Sequence, residues 1–390
     1  MSEKTNLLVL QAGGPTVVVN TSLYGVIDQG KRVARFSEIL GSQRGVMGLL
    51  HDDITELSAW SAHDVDRLRR TPGAALGSSR HRLTDDDYDL AFDTLDKHNV
   101  GALIIIGGNG AMCAAHELDR AAAERGVDLS VVAVPKTVDN DIAGTDRCPG
   151  YASAARFVVQ SVRDVGQDVR SLPLPVSIFE TMGRNTGWLA GAAGAARYGK
   201  STAPHALYLP EHPFSVDTFL GDIDRFVTSH GWTVVVVSEG VRDADGQPVY
   251  RTQIDAQKDD LGRALPGGVS SYLAAQVSNK LVLRCRYEQP GLCGRTSMAH
   301  VSPIDAADAE HVGRAAIDAV VHGERDVMVA LLPVTGDGAS PRSRLVALDD
   351  VVGVVRPAPR DWLTPAGNDV TDEFVQYVRT LIGQGMWEYE

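Results

Sequence analysis

Apolar residues in this chain fall in short, mostly apolar runs separated by stretches of helical spacing, most regularly over the first 150 residues. Leu7–Leu10, Ala102–Ile106 and Leu129–Val134 are runs of the kind that predicts strands buried on both faces. Between and after them, Thr21–Val33 and Ala114–Arg125 read as helices. That order predicts a doubly wound α/β lobe with a mainly parallel sheet. A second α/β lobe is predicted from about Gly150, with a helix over Ser153–Val169, a strand over Pro175–Glu180, a glycine-punctuated helix over Gly183–Arg197, and a strand over Thr233–Ser238 that ends in Glu239. From Leu281 onward helix and strand patterns mix, closing on a helix over Asp372–Ile382.

Ligands of open α/β sheets collect outside the carboxyl ends of the strands, so the residues that follow these runs carry the functional signal. Two runs lead into glycine pairs, Gly13-Gly14 and Gly107-Gly108, each before a helix. Glycine lets backbone N–H groups approach a phosphate at a helix N-terminus, and two such pairs from one sheet point to a nucleotide or polyphosphate. The third run leads into Pro135-Lys136-Thr137-Val138-Asp139-Asn140-Asp141. Two carboxylates and a threonine at that place read as a reacting centre, with a surface Asp-Asn-Asp turn as the alternative.

Phosphoryl transfer requires a backbone cradle and a metal for the donor, a base near the acceptor hydroxyl, and a cation for the transition state. Asp139 is the candidate base, Thr137 its hydroxyl partner, and Asp141 the carboxylate for metal or charge balance. Lys136 and Arg184 are the candidate cations. Arg184 ends Glu180-Thr181-Met182-Gly183-Arg184, at a predicted strand-to-helix junction.

Composition narrows the partners. A length of 390 residues predicts two or three substructures, and 44% apolar residues give them a core. The 37 basic and 50 acidic residues leave a net charge of -13, which opposes nonspecific binding to nucleic acid or anionic membranes. Cys113, Cys148, Cys285 and Cys293 form no CxxC pair, and Met-Ser-Glu-Lys leads straight into a strand, so a reduced, cytoplasmic protein is expected. No apolar run reaches the roughly 20 residues that span a bilayer. His81, His205 and His300 lack metal-ligand spacing.

Taken together, Gly13-Gly14-Pro15-Thr16 with Asn20, Gly107-Gly108-Asn109-Gly110, the segment Pro135–Asp141, Met182-Gly183-Arg184-Asn185-Thr186-Gly187-Trp188 and Ser238-Glu239-Gly240 resemble the phosphofructokinase family in order and spacing. The resemblance implies two doubly wound lobes: residues 1–150 with about 296–340 for the phosphoryl donor, 151–295 for the acceptor, and 341–390 as a C-terminal extension. It makes Asp139 the general base, Thr137 and Asp141 its neighbours, and Arg184 the cation on the transferring group. Gly14, Ser79, Arg80, Gly108, Asn109, Gly110 and Lys136 would hold the donor. Met182, Gly183, Glu239, Arg286 and Arg295 would join Thr137, Asp139, Asp141 and Arg184 on the acceptor. It implies Mg2+, assigned to Asp141 and the position of Asn109, where relatives that use ATP commonly carry Asp. It also implies a homodimer or homotetramer.

Two departures from the family pattern bear on substrates. Gly110 stands where pyrophosphate users carry an Asp that blocks a nucleotide, whereas Lys136 is the residue those users carry; ATP is the expected donor, pyrophosphate the alternative. Pro175 and Leu292 stand where fructose 6-phosphate enzymes carry an arginine and a histidine for the far phosphate, with Arg284 or Lys280 as nearby substitutes. Fructose 6-phosphate is the expected acceptor; another sugar phosphate, a nucleoside or a polyol is the alternative. A catalytically silent ligand-binding subunit is the rival from a different class, opposed by the joint presence of Asp139, Asp141 and Arg184. Tyr24 and Asp28 replace arginines that bind an effector phosphate in regulated bacterial relatives, so activation by ADP is not expected.

Overall fold

The computed structural model of the protein describes residues 5–172, 175–199, 202–250, 267–336 and 340–389. The chain divides into two compact units, Met1–Tyr151 with Arg295–Val355, and Ala152–Gly294 with Arg356–Glu390. In chain order the strands of the described residues are β1 Thr5–Gln11, β2 Phe36–Ser42, β3 Ile54–Glu56, β4 Val100–Gly107, β5 Ser130–Pro135, β6 Val176–Thr181, β7 Ala206–Tyr208, β8 Thr233–Ser238, β9 Cys285–Glu288, β10 Val327–Leu331 and β11 Ser343–Ala347.

The first unit is built on a seven-stranded sheet in the order β11-β10-β5-β4-β1-β2-β3. The five inner strands run parallel, and β3 and β11 close the two edges antiparallel. Side chains alternate between faces along each strand. Leu8, Leu10, Leu103, Ile105, Val131 and Ala133 enter one core cluster, while Leu7, Val9, Ala102, Ile104, Val132 and Val134 enter another. Helices on both faces explain why these segments read as continuous apolar runs rather than alternating ones. The chain leaves β1 towards β2 on one side, whereas β4 and β5 pair on the other. The carboxyl ends of β1 and β4 therefore flank the point where strand order reverses, the place where such sheets bind ligands.

The second unit carries a four-stranded sheet of parallel strands in the order β7-β8-β6-β9. Val176, Ile178, Val235 and Val237 of the sheet pack with Phe219, Leu273 and Val277 of the helices Val216–His230 and Val269–Lys280. The helix expected over Gly183–Arg197 is shorter: only Trp188–Ala192 is α-helical, followed by a 3-10 turn over Ala193–Ala196. The reason is local. Gly183 sits at φ +136°, outside helical space, and the Glu211 carboxylate accepts the Gly187 N–H at 2.9 and 3.0 Å, ahead of the first helical residue. Trp188 is fully buried against Trp362, Phe374 and Tyr377, the last two on the terminal helix Asp372–Ile382. Among the described residues no helix is long and apolar enough to cross a membrane.

Candidate active site

Because β1 and β4 are neighbours, the two glycine pairs lie side by side at the carboxyl edge of the first unit's sheet. Gly13 turns the chain after β1 at φ +77°, its N–H donating to the Ser79 carbonyl at 2.9 Å, and Ser78 Oγ donates to the Gly13 carbonyl at 2.7 Å. This ties the segment carrying Ser79 and Arg80 to the first glycine pair. Ser79 Oγ is buried and has no hydrogen-bond partner among the described residues. The second pair opens the helix Asn109–Arg125, whose N-terminus receives no side-chain cap. That helix starts earlier than the expected Ala114, because Asn109 and Gly110, turn formers by propensity, occupy its first turn. A β-carbon on Gly110 would meet nothing within 4 Å, so the space over this N-terminus is open.

Lys136 follows β5, and its backbone N–H donates to the Gly107 carbonyl of β4 at 2.9 Å. Its side chain reaches across to β1's loop, where Nζ donates to the Gly14 carbonyl at 2.6 Å. A β-carbon on Gly14 would stand 2.8 Å from Arg295 Nη1 and 3.7 Å from Arg80 Nη2, so the glycine is what lets the Arg295 guanidinium approach this backbone, with Arg80 at ordinary contact distance beyond it. Burial pushes the Lys136 ammonium down to about 8; the Arg295 and Arg80 charges push the same way, and Asp139 opposes them. Burial, then Arg80, also lowers Arg295. Three cations gathered on one glycine loop repel one another, and an anion placed among them would relieve that repulsion.

The Asp-Asn-Asp turn follows at once. The Asp139 N–H donates to Thr137 Oγ1 at 3.1 Å, and Asn140 takes the left-handed conformation, φ +54°, with its Oδ1 accepting the Cys148 N–H at 2.9 Å. Asn is among the few residues that adopt this conformation readily, so the middle residue of Asp-Asn-Asp shapes the turn while both carboxylates stay half-buried. Asp141 Oδ2 accepts from Asn109 Nδ2 at 2.9 Å. Burial raises the Asp141 carboxyl, against hydrogen bonds from its own backbone, Asn109 and Thr137. Among the described residues no cluster of three or more His, Cys, Asp or Glu side chains is placed to hold a metal. Mg2+ suits such a site, since it binds through one or two carboxylates and takes its remaining ligands from phosphate oxygens and water.

Behind the turn, the Thr137 N–H donates to the Pro149 carbonyl at 3.1 Å, and Asp305 Oδ1 accepts the Gly150 N–H at 2.8 Å. Arg147 forms a buried two-pronged pair with Asp308, 2.6 and 2.7 Å, and donates to the Leu332 carbonyl at 2.6 Å. Both acids lie on the helix Pro303–Val321, which thereby backs the segment that follows the Asp-Asn-Asp turn.

In the second unit, β6 ends in the turn carrying Met182, Gly183 and Arg184. Ser238 Oγ donates to the Gly183 carbonyl at 2.7 Å, the Gly183 N–H donates to Glu239 Oε1 at 3.2 Å, and the Glu239 N–H donates to the Thr181 carbonyl at 3.0 Å. The ends of β6 and β8 thus present Met182, Gly183, Arg184 and Glu239 together. Arg286 is exposed on β9, at the sheet's edge, and exposed Leu292 follows that strand. Arg295 belongs to the first unit and lies beside Gly14, where its charge also interacts with that of Asp139. The division of the chain falls between Gly294 and Arg295, and no local pattern marks that point.

Comparison with known proteins gives a consistent picture. The family described as Phosphofructokinase matches residues 6–320. A pyrophosphate–fructose 6-phosphate 1-phosphotransferase of Xanthomonas campestris pv. campestris is 36% identical over 389 residues, 97% of this chain and 91% of that one. A sulfofructose kinase of Alkalicoccus urumqiensis is 38% identical over 327 residues, 82% of each chain. The crystal structure of a pyrophosphate-dependent phosphofructokinase from Nitrosospira multiformis superposes with a TM-score of 0.89 at 28% identity, covering 99% of this chain and 94% of that one.

Proposed function

The chain belongs to the phosphofructokinase family and is a phosphotransferase with an alcohol group as acceptor, and from that premise we propose that it moves a phosphoryl group from ATP to a hydroxyl of fructose 6-phosphate. The observation that carries the donor reading is the open space at Gly110, over an uncapped helix N-terminus where a nucleotide's phosphates find backbone N–H groups. The glycine loops, Ser79, Arg80 and Lys136 hold the donor phosphates, with Arg295 added beside Gly14. Mg2+, when bound at Asp141, supplies charge neutralisation on the donor. Asp139 accepts the acceptor hydroxyl's proton, with Thr137 orienting its loop. Arg184 is assigned to the charge that develops on the transferring group, and Met182, Gly183, Glu239 and Arg286 to the acceptor.

Two observations favour second readings. Lys136, Arg80 and Arg295 converge on one short anion site, which suits pyrophosphate, the donor named for the Xanthomonas relative. Leu292 is 63% exposed and apolar where a phosphate-binding side chain is expected, which suits an acceptor ending in a less demanding anion, such as the sulfonate of the ketose named for the Alkalicoccus relative. Purified protein with Mg2+ should be given ATP or pyrophosphate against fructose 6-phosphate, sulfofructose, sedoheptulose 7-phosphate, free sugars and nucleosides, with products read by mass. Transfer from ATP to fructose 6-phosphate as the fastest pair is the expected result; a faster rate from pyrophosphate, or to another acceptor, replaces the corresponding half of the reading.

A further inference from the structure

Glu180 is a carboxylate on the central strand β6, 6% exposed, one residue before the strand's end and two before Met182. A buried carboxylate is costly unless its oxygens are satisfied. Its oxygens accept four hydrogen bonds: from the Gly268 N–H at 3.0 Å, the Ser270 N–H at 2.8 Å, Ser270 Oγ at 2.7 Å and Gln289 Nε2 at 2.9 Å. Three of those donors, two of them backbone N–H groups, belong to the N-terminus of the helix Val269–Lys280, where a negative charge also meets the favourable end of the helix dipole. The helix's own N-cap, Gly268, has no side chain to offer, so Glu180 takes the place of a cap from across the sheet. The fourth donor, Gln289, follows β9, the strand that carries Arg286, and precedes Leu292.

We propose that Glu180 is a positioning residue for the acceptor, tying the β9 edge and its following loop to the turn that carries Met182, Gly183 and Arg184. The inference rests on the reading that the second unit's residues bind the acceptor. One carboxylate joins three chain segments, and two of these bear the residues assigned to acceptor recognition. Loss of the carboxylate frees the loop at Gln289 and the helix N-terminus together, while the donor loops of the first unit contain none of its partners.

Glu180→Gln keeps the size of the side chain but leaves one acceptor oxygen; with that oxygen towards Ser270 and Gln289, its amide N–H faces the Gly268 N–H at the helix N-terminus. Gln289→Ala removes a single bond from an exposed residue and leaves the core intact. Full-length wild-type and variant enzymes should be compared for the KM of each substrate, for kcat and for melting temperature. The acceptor KM is expected to rise about tenfold or more in Glu180→Gln and severalfold in Gln289→Ala, with the donor KM held within about twofold. In a double variant built on Glu180→Ala, which removes both oxygens, the Gln289 change should add nothing, since its partner is already gone. An unchanged acceptor KM in both variants, or a parallel loss of kcat, both KM values and melting temperature, overturns the proposal. Wild-type turnover alongside separates the two readings: active wild type with unaffected variants removes only the role of Glu180, whereas wild type that transfers to no ketose removes the acceptor reading and this role with it.

Discussion

Lys136 carries its ammonium where water barely reaches, 2% exposed, against a carbonyl and beside two guanidinium groups. With its pKa lowered to about 8, the group is charged at pH 7 and neutral at pH 9. Only the charged form attracts an anion, and a bound polyphosphate favours keeping the proton. Affinity for the phosphoryl donor should therefore fall as pH rises, by about tenfold between pH 7 and 9, with proton uptake on binding in calorimetry. Lys136→Met should bind weakly at both pH values and show a flat profile. Gly14 is tested by Gly14→Ala: the new methyl displaces Arg295, raising the donor KM about threefold to thirtyfold while melting changes little, the displaced atoms being the far end of a flexible side chain. Asn140→Ala removes the bond to the Cys148 N–H and puts alanine in left-handed space, at a cost of about 2 kcal/mol in urea unfolding; Asn140→Gly, which accepts the conformation, should cost less. The motif Asp-Asn-Asp was plain in the sequence, but the division of labour within it was not, since the Asn's role depends on a partner eight residues onward.

At the scale of elements, the helix Pro303–Val321 holds the segment that follows the Asp-Asn-Asp turn through Asp305 and Asp308, contacts that its local sequence pattern did not reveal. Arg147 and Asp308 are both almost fully buried, so removing one partner strands a charge. Arg147→Ala should lower stability by about 3–5 kcal/mol and depress kcat, whereas Arg147→Met combined with Asp308→Leu should recover most of the stability, as read from chemical unfolding. The same helix packs on Val19–Arg32, where Arg314 pairs with Asp28 at 2.7 Å and Glu310 pairs with Arg69 at 2.6 Å while Arg69 lies 4.7 Å over the Tyr24 ring. These cations are already matched by carboxylates within the fold, leaving little positive potential for an effector phosphate. Acceptor saturation should stay hyperbolic and unmoved by ADP; a sigmoidal curve that ADP relieves would show the site to be functional after all.

At the scale of the whole molecule, the chain crosses between its two units three times, after Tyr151, Gly294 and Val355. The C-terminal segment is consequently part of the second unit's core: Trp362, Phe374 and Tyr377 enclose Trp188, and the Trp188 indole N–H donates to the Arg356 carbonyl at 3.1 Å. Ending the chain at Val355 should leave Trp188 exposed, with a red-shifted tryptophan emission and loss of cooperative melting, because burial of such aromatics contributes about 3–5 kcal/mol each. By itself the sequence determined the family, the doubly wound α/β class and the strand ends where the paired glycines and the Asp139–Asp141 carboxylates sit. Those features are written locally, in runs of apolar residues and in motifs that follow them directly. Only the tertiary structure decided that Arg295 stands beside Gly14, that Lys136 reaches over β4 to do the same, and that Glu180 gathers Gly268, Ser270 and Gln289. Each of these contacts joins residues more than a hundred positions apart or on separate strands and helices, and a side chain's partner at that range is set by sheet order and packing, which no local pattern encodes.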